Sequence, residues 1–132
     1  TVGVMGAGLA LQAKRRFPEC FAPYVASCGG GKLPAGSVTA IKLADGQPFR
    51  WLVTFATKAD WRRPSKLEYV RTGLPKLVAT IRRLKATSVA IPALGCGHGG
   101  LSWFVVGPLI TGAFRHETGM TAYLYQPTAT EA

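Results

Sequence analysis

Two glycine-rich turns constrain this chain more than any other feature: Gly3-Val4-Met5-Gly6-Ala7-Gly8 near its start and Gly95-Cys96-Gly97-His98-Gly99-Gly100 in its second half. Turns of this kind link a buried strand to a helix. Glycine lets the backbone approach a ligand and aim several N–H groups at it, and the helix that follows adds unpaired N–H groups and a partial positive charge. Two such loops facing one another could clamp a diphosphate; each could equally be an ordinary strand-to-helix turn. Gly95 to Gly100 formally fits GxGxxG, with Glu117 downstream. Too little chain follows for the remaining strands of a dinucleotide-binding domain, and no Lys-Ser or Lys-Thr follows either loop to make a Walker motif.

The elements between the loops read as α/β. Leu9, Ala13 and Phe17 form the apolar stripe of a helix that Pro18 stops, and a short helix over Cys20 to Ala26 can follow before Gly29-Gly30-Gly31. Val38 to Lys42 and Trp51 to Phe55 have strand composition, with the turn pair Asp45-Gly46 between them. Residues 65 to 85 carry the clearest amphipathic pattern: Leu67, Val70, Leu74, Leu77, Val78, Ile81 and Leu84 recur at helical spacing. Ser65 with Glu68 three residues on predicts a capping box, and Pro75 predicts a kink or restart. Ser88 to Leu94 is a short apolar run, Ser102 is an N-cap for a helix to about Arg115, and Thr121 to Tyr125 reads as a last buried strand before a frayed tail. Strands alternating with helices predict helices on both faces of a sheet, with ligands bound outside the carboxyl ends of the strands. The first glycine turn has no strand before it, so an N-terminal strand is expected to precede Thr1.

At 132 residues, 48% of them hydrophobic, the chain is long enough for one domain with its own core. No apolar run reaches the length of a membrane span and no signal segment opens the sequence, so a cytoplasmic protein is expected. Cys20, Cys28 and Cys96 are odd in number and lack CxxC spacing, which argues against a disulfide framework or zinc site. Sixteen Lys and Arg against six Asp and Glu give +10, a balance that suits nucleic acid or a phosphate-bearing ligand but also simple solubility.

A few side chains could carry chemistry. Lys58, in Thr57-Lys58-Ala59-Asp60-Trp61-Arg62-Arg63-Pro64, lies just past a strand end. A lysine there can hold a phosphate, attack an electrophilic carbon, or be a solvated surface charge. Trp61 beside Arg62 and Arg63 could stack on a base and neutralise phosphates, or cover the core. His98 is a general acid/base or a tolerated loop residue. Cys96, without a histidine partner in sequence, reads as packing beneath its loop rather than as a nucleophile.

Taken in order, Val2-Gly3-Val4-Met5-Gly6-Ala7-Gly8-Leu9-Ala10-Leu11-Gln12, then Thr57-Lys58 with Trp61-Arg62 and Ser65-Lys66-Leu67, then Ile91-Pro92-Ala93-Leu94-Gly95-Cys96-Gly97 with Gly99-Gly100-Leu101 and Trp103, the chain resembles macrodomains of the DarG antitoxin type. The resemblance implies a single three-layer α/β/α macrodomain with a mixed central sheet over residues 1–132, its N-terminal strand missing. It implies removal of ADP-ribose from modified nucleic acid, notably thymidine in single-stranded DNA, reversing a partner ADP-ribosyltransferase toxin; the alternative is a module that reads ADP-ribose without turnover. ADP-ribose is then ligand and product, no cofactor or metal is needed, and a monomer is expected. Lys58 becomes the catalytic lysine near the anomeric carbon of the distal ribose, with Thr57 beside it. Gly6, Ala7 and Gly8 line the distal ribose and phosphates. Gly95, Cys96, Gly97, His98, Gly99 and Gly100 form the diphosphate loop, and Trp61 and Arg62 stand where the modified strand enters. Ala7 replaces a lysine common in these loops, and Gly99 stands where glycohydrolase relatives place an Asp.

Overall fold

The computed structural model describes residues 15–16, 34–58, 63–97 and 99–127. The helix expected over Leu9 to Phe17 is described only at Arg15 and Arg16, which are helical; the first glycine loop, the Cys20 to Ala26 segment, Trp61, Arg62 and His98 lie outside the described residues.

Six elements follow in chain order: β1 (Val38–Lys42), β2 (Trp51–Phe55), α1 (Leu67–Arg83), β3 (Ser88–Ile91), α2 (Trp103–Phe114) and β4 (Thr121–Leu124). Strands β1 and β2 pair antiparallel with Val38 opposite Phe55 and Lys42 opposite Trp51, closed by the turn at Asp45-Gly46, where Gly46 adopts φ +90°. Strands β3 and β4 pair in parallel, Ser88 with Thr121 through Ile91 with Leu124, with α2 as the crossover between them. Both strand directions are therefore present, although among the described residues they form two separate two-stranded sheets rather than one mixed sheet.

One core joins these parts. Val70, Leu74, Leu77 and Ile81 of α1 meet Val106 and Ile110 of α2, Ile91 of β3, and Cys96 from the loop between β3 and α2. The amphipathic pattern read from sequence selects these α1 residues because positions three and four apart share one helix face. The two helices run side by side in the same direction. Both begin near the 95–100 loop, and at the far end the Arg82 guanidinium donates two hydrogen bonds to the Glu117 carboxylate just beyond α2.

Several local expectations change. Helix α1 begins at Leu67 with Lys66 at its N-cap and no side-chain cap, so the Ser65–Glu68 capping box does not form; the Ser65 hydroxyl is committed to Thr57 instead. Pro75 does not restart the helix, which runs unbroken to Arg83; the proline is exposed, where water can serve the Arg71 carbonyl that loses its donor. Ser102 takes the N-cap position of α2, but its hydroxyl makes no cap bond. Strand β4 is half-buried rather than buried: Ala122 and Leu124 pack toward the core, Thr121 and Tyr123 face out, and the strand ends one residue before Tyr125.

The hairpin and α1 touch through a glycine. A Cβ on Gly73 would run into the Phe55 ring, 2.6 Å from Cε1, and lie 3.1 Å from the Gly36 carbonyl. Gly36 holds φ +82° and donates to the Ala56 carbonyl at 2.7 Å, so the strand end has no slack. In an exposed helix, Gly→Ala stabilises by about 1 kcal/mol. Here the sign should reverse: Gly73→Ala is expected to lower the urea midpoint, whereas Gly112→Ala, with open space around the new methyl, should raise it.

Candidate functional site

The site is built from the loop that leaves β3. Ile91 is buried, and the chain then turns through Ala93 to Cys96, whose N–H donates to the Ala93 carbonyl at 3.0 Å. Gly95 (φ +73°) and Gly100 (φ +80°) occupy the left-handed region that L side chains avoid. The Gly95 carbonyl accepts from Leu101 N–H at 2.9 Å, and Gly100 N–H donates to the Gly97 carbonyl at 3.2 Å. Cys96 is the loop's anchor. Its side chain sits in the core at 6% exposure, its thiol faces the Leu94 carbonyl at 3.6 Å, and burial pushes its pKa up, which disfavours the thiolate. The structure agrees with the sequence reading of Cys96 as packing.

These internal bonds use the N–H groups of Cys96, Gly100 and Leu101. Those of Gly95, Gly97 and Gly99 have no acceptor among the described residues. Beside them lie the starts of α1 and α2, both without a side-chain cap. Two parallel helices thus bring their positive dipole ends and uncapped first turns to one loop, an arrangement that favours an anion.

Ser65 joins this loop to Lys58. Its N–H donates to the Gly99 carbonyl at 3.0 Å, its hydroxyl donates to the Thr57 Oγ1 at 3.1 Å, and the residue is 5% exposed. Thr57 and half-buried Lys58 follow β2, where Ala56 is fixed by a 3.0 Å bond from its N–H to the Ser37 carbonyl. The lysine segment and the glycine loop, about 40 residues apart in sequence, are therefore neighbours through one serine. Sequence reasoning missed this role because Ser-x-x-Glu before an apolar run is also the signature of a helix cap.

Ser65 also explains two glycines. A Cβ on Gly95 would lie 2.7 Å from Leu101 Cδ1 and 3.1 Å from Ser65 Cβ; one on Gly99 would collide with the Ser65 hydroxyl and the Gly95 carbonyl. No side chain fits at Gly99, so an acid cannot stand there beside Lys58 in this packing. Among the described residues no cluster of His, Cys, Asp and Glu could hold a metal ion.

A family model described as the Macro domain matches residues 1–110. A DNA ADP-ribosyl glycohydrolase of Mycobacterium tuberculosis is 41% identical over 127 residues, 96% of this chain and 36% of that protein. A DNA ADP-ribosyl transferase–DNA ADP-ribosyl glycohydrolase fusion protein of Thermosipho africanus is 35% identical over 125 residues, 83% of this chain and 32% of that protein. The chain thus spans about a third of the length of the curated relatives it matches. Among solved structures, the macrodomain of Mycobacterium tuberculosis DarG superposes with a TM-score of 0.89 at 42% identity, covering 96% of this chain and 84% of that one. Thermosipho africanus DarTG in complex with ADP-ribose gives a TM-score of 0.83 at 33% identity over 96% of this chain and 35% of that one.

Two measurements test the loop. Gly99→Ala should weaken ADP-ribose binding by about tenfold or more in calorimetry, since it pushes the loop off Ser65 and costs one well-placed donor or more; Gly112→Ala should bind as wild type. The buried Cys96 thiol has a folded pKa above its unfolded one, so its contribution to stability is complete below the ordinary thiol range and declines as pH rises through the folded pKa. A Cys96→Ala variant should show less of this alkaline loss in urea unfolding followed from pH 7 to pH 10.

Proposed function

The chain belongs to the Macro domain family and has its fold, and from that premise we propose that it is an ADP-ribosyl glycohydrolase acting on ADP-ribosylated single-stranded DNA. The observation that carries the proposal is the Ser65 junction, which sets Thr57-Lys58 against the uncapped, glycine-rich loop. The loop N–H groups of Gly95, Gly97 and Gly99 take the diphosphate, with both helix N-termini adding positive potential. Lys58 reaches from the other side of the junction to the anomeric carbon of the distal ribose. Gly6, Ala7, Gly8 and His98 complete the nucleotide cleft in this proposal, and Trp61 and Arg62 meet the DNA at its mouth.

The reaction breaks the glycosidic bond between the anomeric carbon and the nitrogen of the modified base. In the covalent version the free amine of Lys58 attacks that carbon, the bond to the base breaks, and the base takes up a proton as it leaves. The ribosyl-lysine opens its ring to an iminium at that carbon, and water adds there, releasing ADP-ribose and restoring the lysine. In the electrostatic version water attacks directly and the Lys58 ammonium stabilises charge developing on the ribose. The modification is placed by an ADP-ribosyltransferase, whose mark this chain reverses; both activities are named together in the fusion protein of Thermosipho africanus.

A module that binds ADP-ribose without turnover is the second reading, and the closed Gly99 position favours it by denying Lys58 an acidic partner there. Lys58→Ala separates the two. For the glycohydrolase, release of ADP-ribose from ADP-ribosylated single-stranded DNA should fall by about 100-fold or more while binding of free ADP-ribose changes little. Wild-type protein that binds ADP-ribose yet releases none from DNA establishes the reader. A borohydride-trapped adduct, present with wild type and absent with Lys58→Ala, distinguishes the covalent route.

A further inference from the structure

We infer that the solvent face of α1 is a track for the phosphate backbone of the single-stranded DNA whose modified nucleotide occupies the cleft, an inference that rests on the substrate class proposed above. The face opposite the buried Val70, Leu74, Leu77 and Ile81 presents Arg71, Lys76 and Arg83, all exposed. Exposed Arg63 and Lys66 extend it toward the Ser65–Gly99 contact, and exposed Lys85 extends it past the far end of the helix. Between these cations the exposed positions of α1 are Glu68, Thr72, Pro75, Ala79 and the paired Arg82; Thr72, Pro75 and Ala79 are small side chains that leave a strand room to lie close.

The charge is not consumed within the fold. Glu68 is the only acid in α1, and of the cations from Arg63 to Lys85 only Arg82 has a carboxylate partner, Glu117. None of the six cations has an acid three or four residues away on α1 except where Glu68 approaches Arg71, and no ion pair forms there. Complementing the helix dipole accounts for Arg83 at the C-terminal end. It does not account for Lys66 at the N-cap or Arg71 in the second turn, where a cation opposes the dipole. Lys66 Nζ lies 5.8 Å from the Tyr69 ring centroid, which holds that ammonium at the start of the row.

Geometry suits one strand. Seventeen residues make α1 about 25 Å long, enough to accompany roughly seven nucleotides of a strand stacked at about 3.4 Å per phosphate. The row begins beside the loop proposed to hold the nucleotide and ends at a groove of about 490 Å³ lined by Arg82, Lys85, Thr87, His116, Thr118 and Glu117, the last paired with Arg82. A strand leaving the cleft along this face meets a cation on every turn or two, with Glu68 as the one acid of the helix beside it.

The test compares R71E/K76E with K42E/R50E, which makes the same change in net charge on the β1–β2 hairpin. Binding of an unmodified oligothymidylate long enough to span α1 is measured across a salt series. For single strands the slope of log K against log salt changes by about 0.7 per phosphate contact. The track variant should therefore lose about 1.4 from the slope and about tenfold or more in affinity at low salt, with K42E/R50E close to wild type. Retained urea midpoints and calorimetric binding of free ADP-ribose verify folding. Equal losses in both variants overturn the track in favour of diffuse attraction. Retained DNA affinity with lost binding of polyglutamate overturns it in favour of an acidic polypeptide. A wild-type protein without turnover whose slope still falls in R71E/K76E keeps the track and removes the glycohydrolase reading, so the two fail separately.

Discussion

Everything about the site depends on Ser65. Its N–H and hydroxyl each hold a different segment: the carbonyl of Gly99 in the loop after β3, and the hydroxyl of Thr57 after β2. At 5% exposure these bonds are shielded from water, and breaking one would leave a polar atom buried without a partner. The same contact dictates composition around it. Gly95 and Gly99 pass so near the serine that any Cβ would displace it, and Gly95 also needs a positive φ. A glycine loop that could be read as generic flexibility is here a close-packed turn.

The core and the helix directions give that turn the geometry on which the proposed anion site rests. Cys96 is drawn into the cluster with Val70, Leu74, Val106 and Ile110, so the loop is nailed from beneath while the N–H groups of Gly95, Gly97 and Gly99 have no acceptor among the described residues. Helices α1 and α2 run in parallel and start at the same loop without side-chain caps, so their dipole ends add there rather than cancel. The cost of two uncapped helix starts is recovered when an anion, rather than a serine hydroxyl, serves the first turns. At the opposite ends the paired Arg82 and Glu117 close the molecule and leave the basic row on α1 facing solvent.

Periodicity found the elements well, because burial enforces it. Strands β1 and β2 fall where composition put them, and the α1 stripe of Val70, Leu74, Leu77, Val78 and Ile81 is the buried face. The misreadings concern two serine caps, one proline and the exposure of the last strand. Ser65 and Ser102 have the right identity and position for caps, yet one hydroxyl turns to a residue eight positions earlier and the other makes no cap bond. Pro75 interrupts no helix because it stands on the wet face, where a lost hydrogen bond is cheap. Tyr123 and Tyr125 look like core aromatics by composition and are more than half exposed.

The sequence by itself determined the family, the α/β alternation, the surplus of positive charge, and the two segments, Thr57-Lys58 and Gly95 to Gly100, on which the proposed chemistry turns. These are legible because glycine at a tight turn, apolar residues at a helical period and an uneven charge balance each have a local physical cause. Only the tertiary structure decided that the two segments meet, that a serine unremarkable in sequence is what joins them, that Gly99 admits no side chain, and that six cations scattered between Arg63 and Lys85 all stand exposed. Those facts depend on which residues become neighbours after packing, and a hydroxyl's choice between its own helix and a distant strand end is made by distance in the folded chain, not by spacing along it.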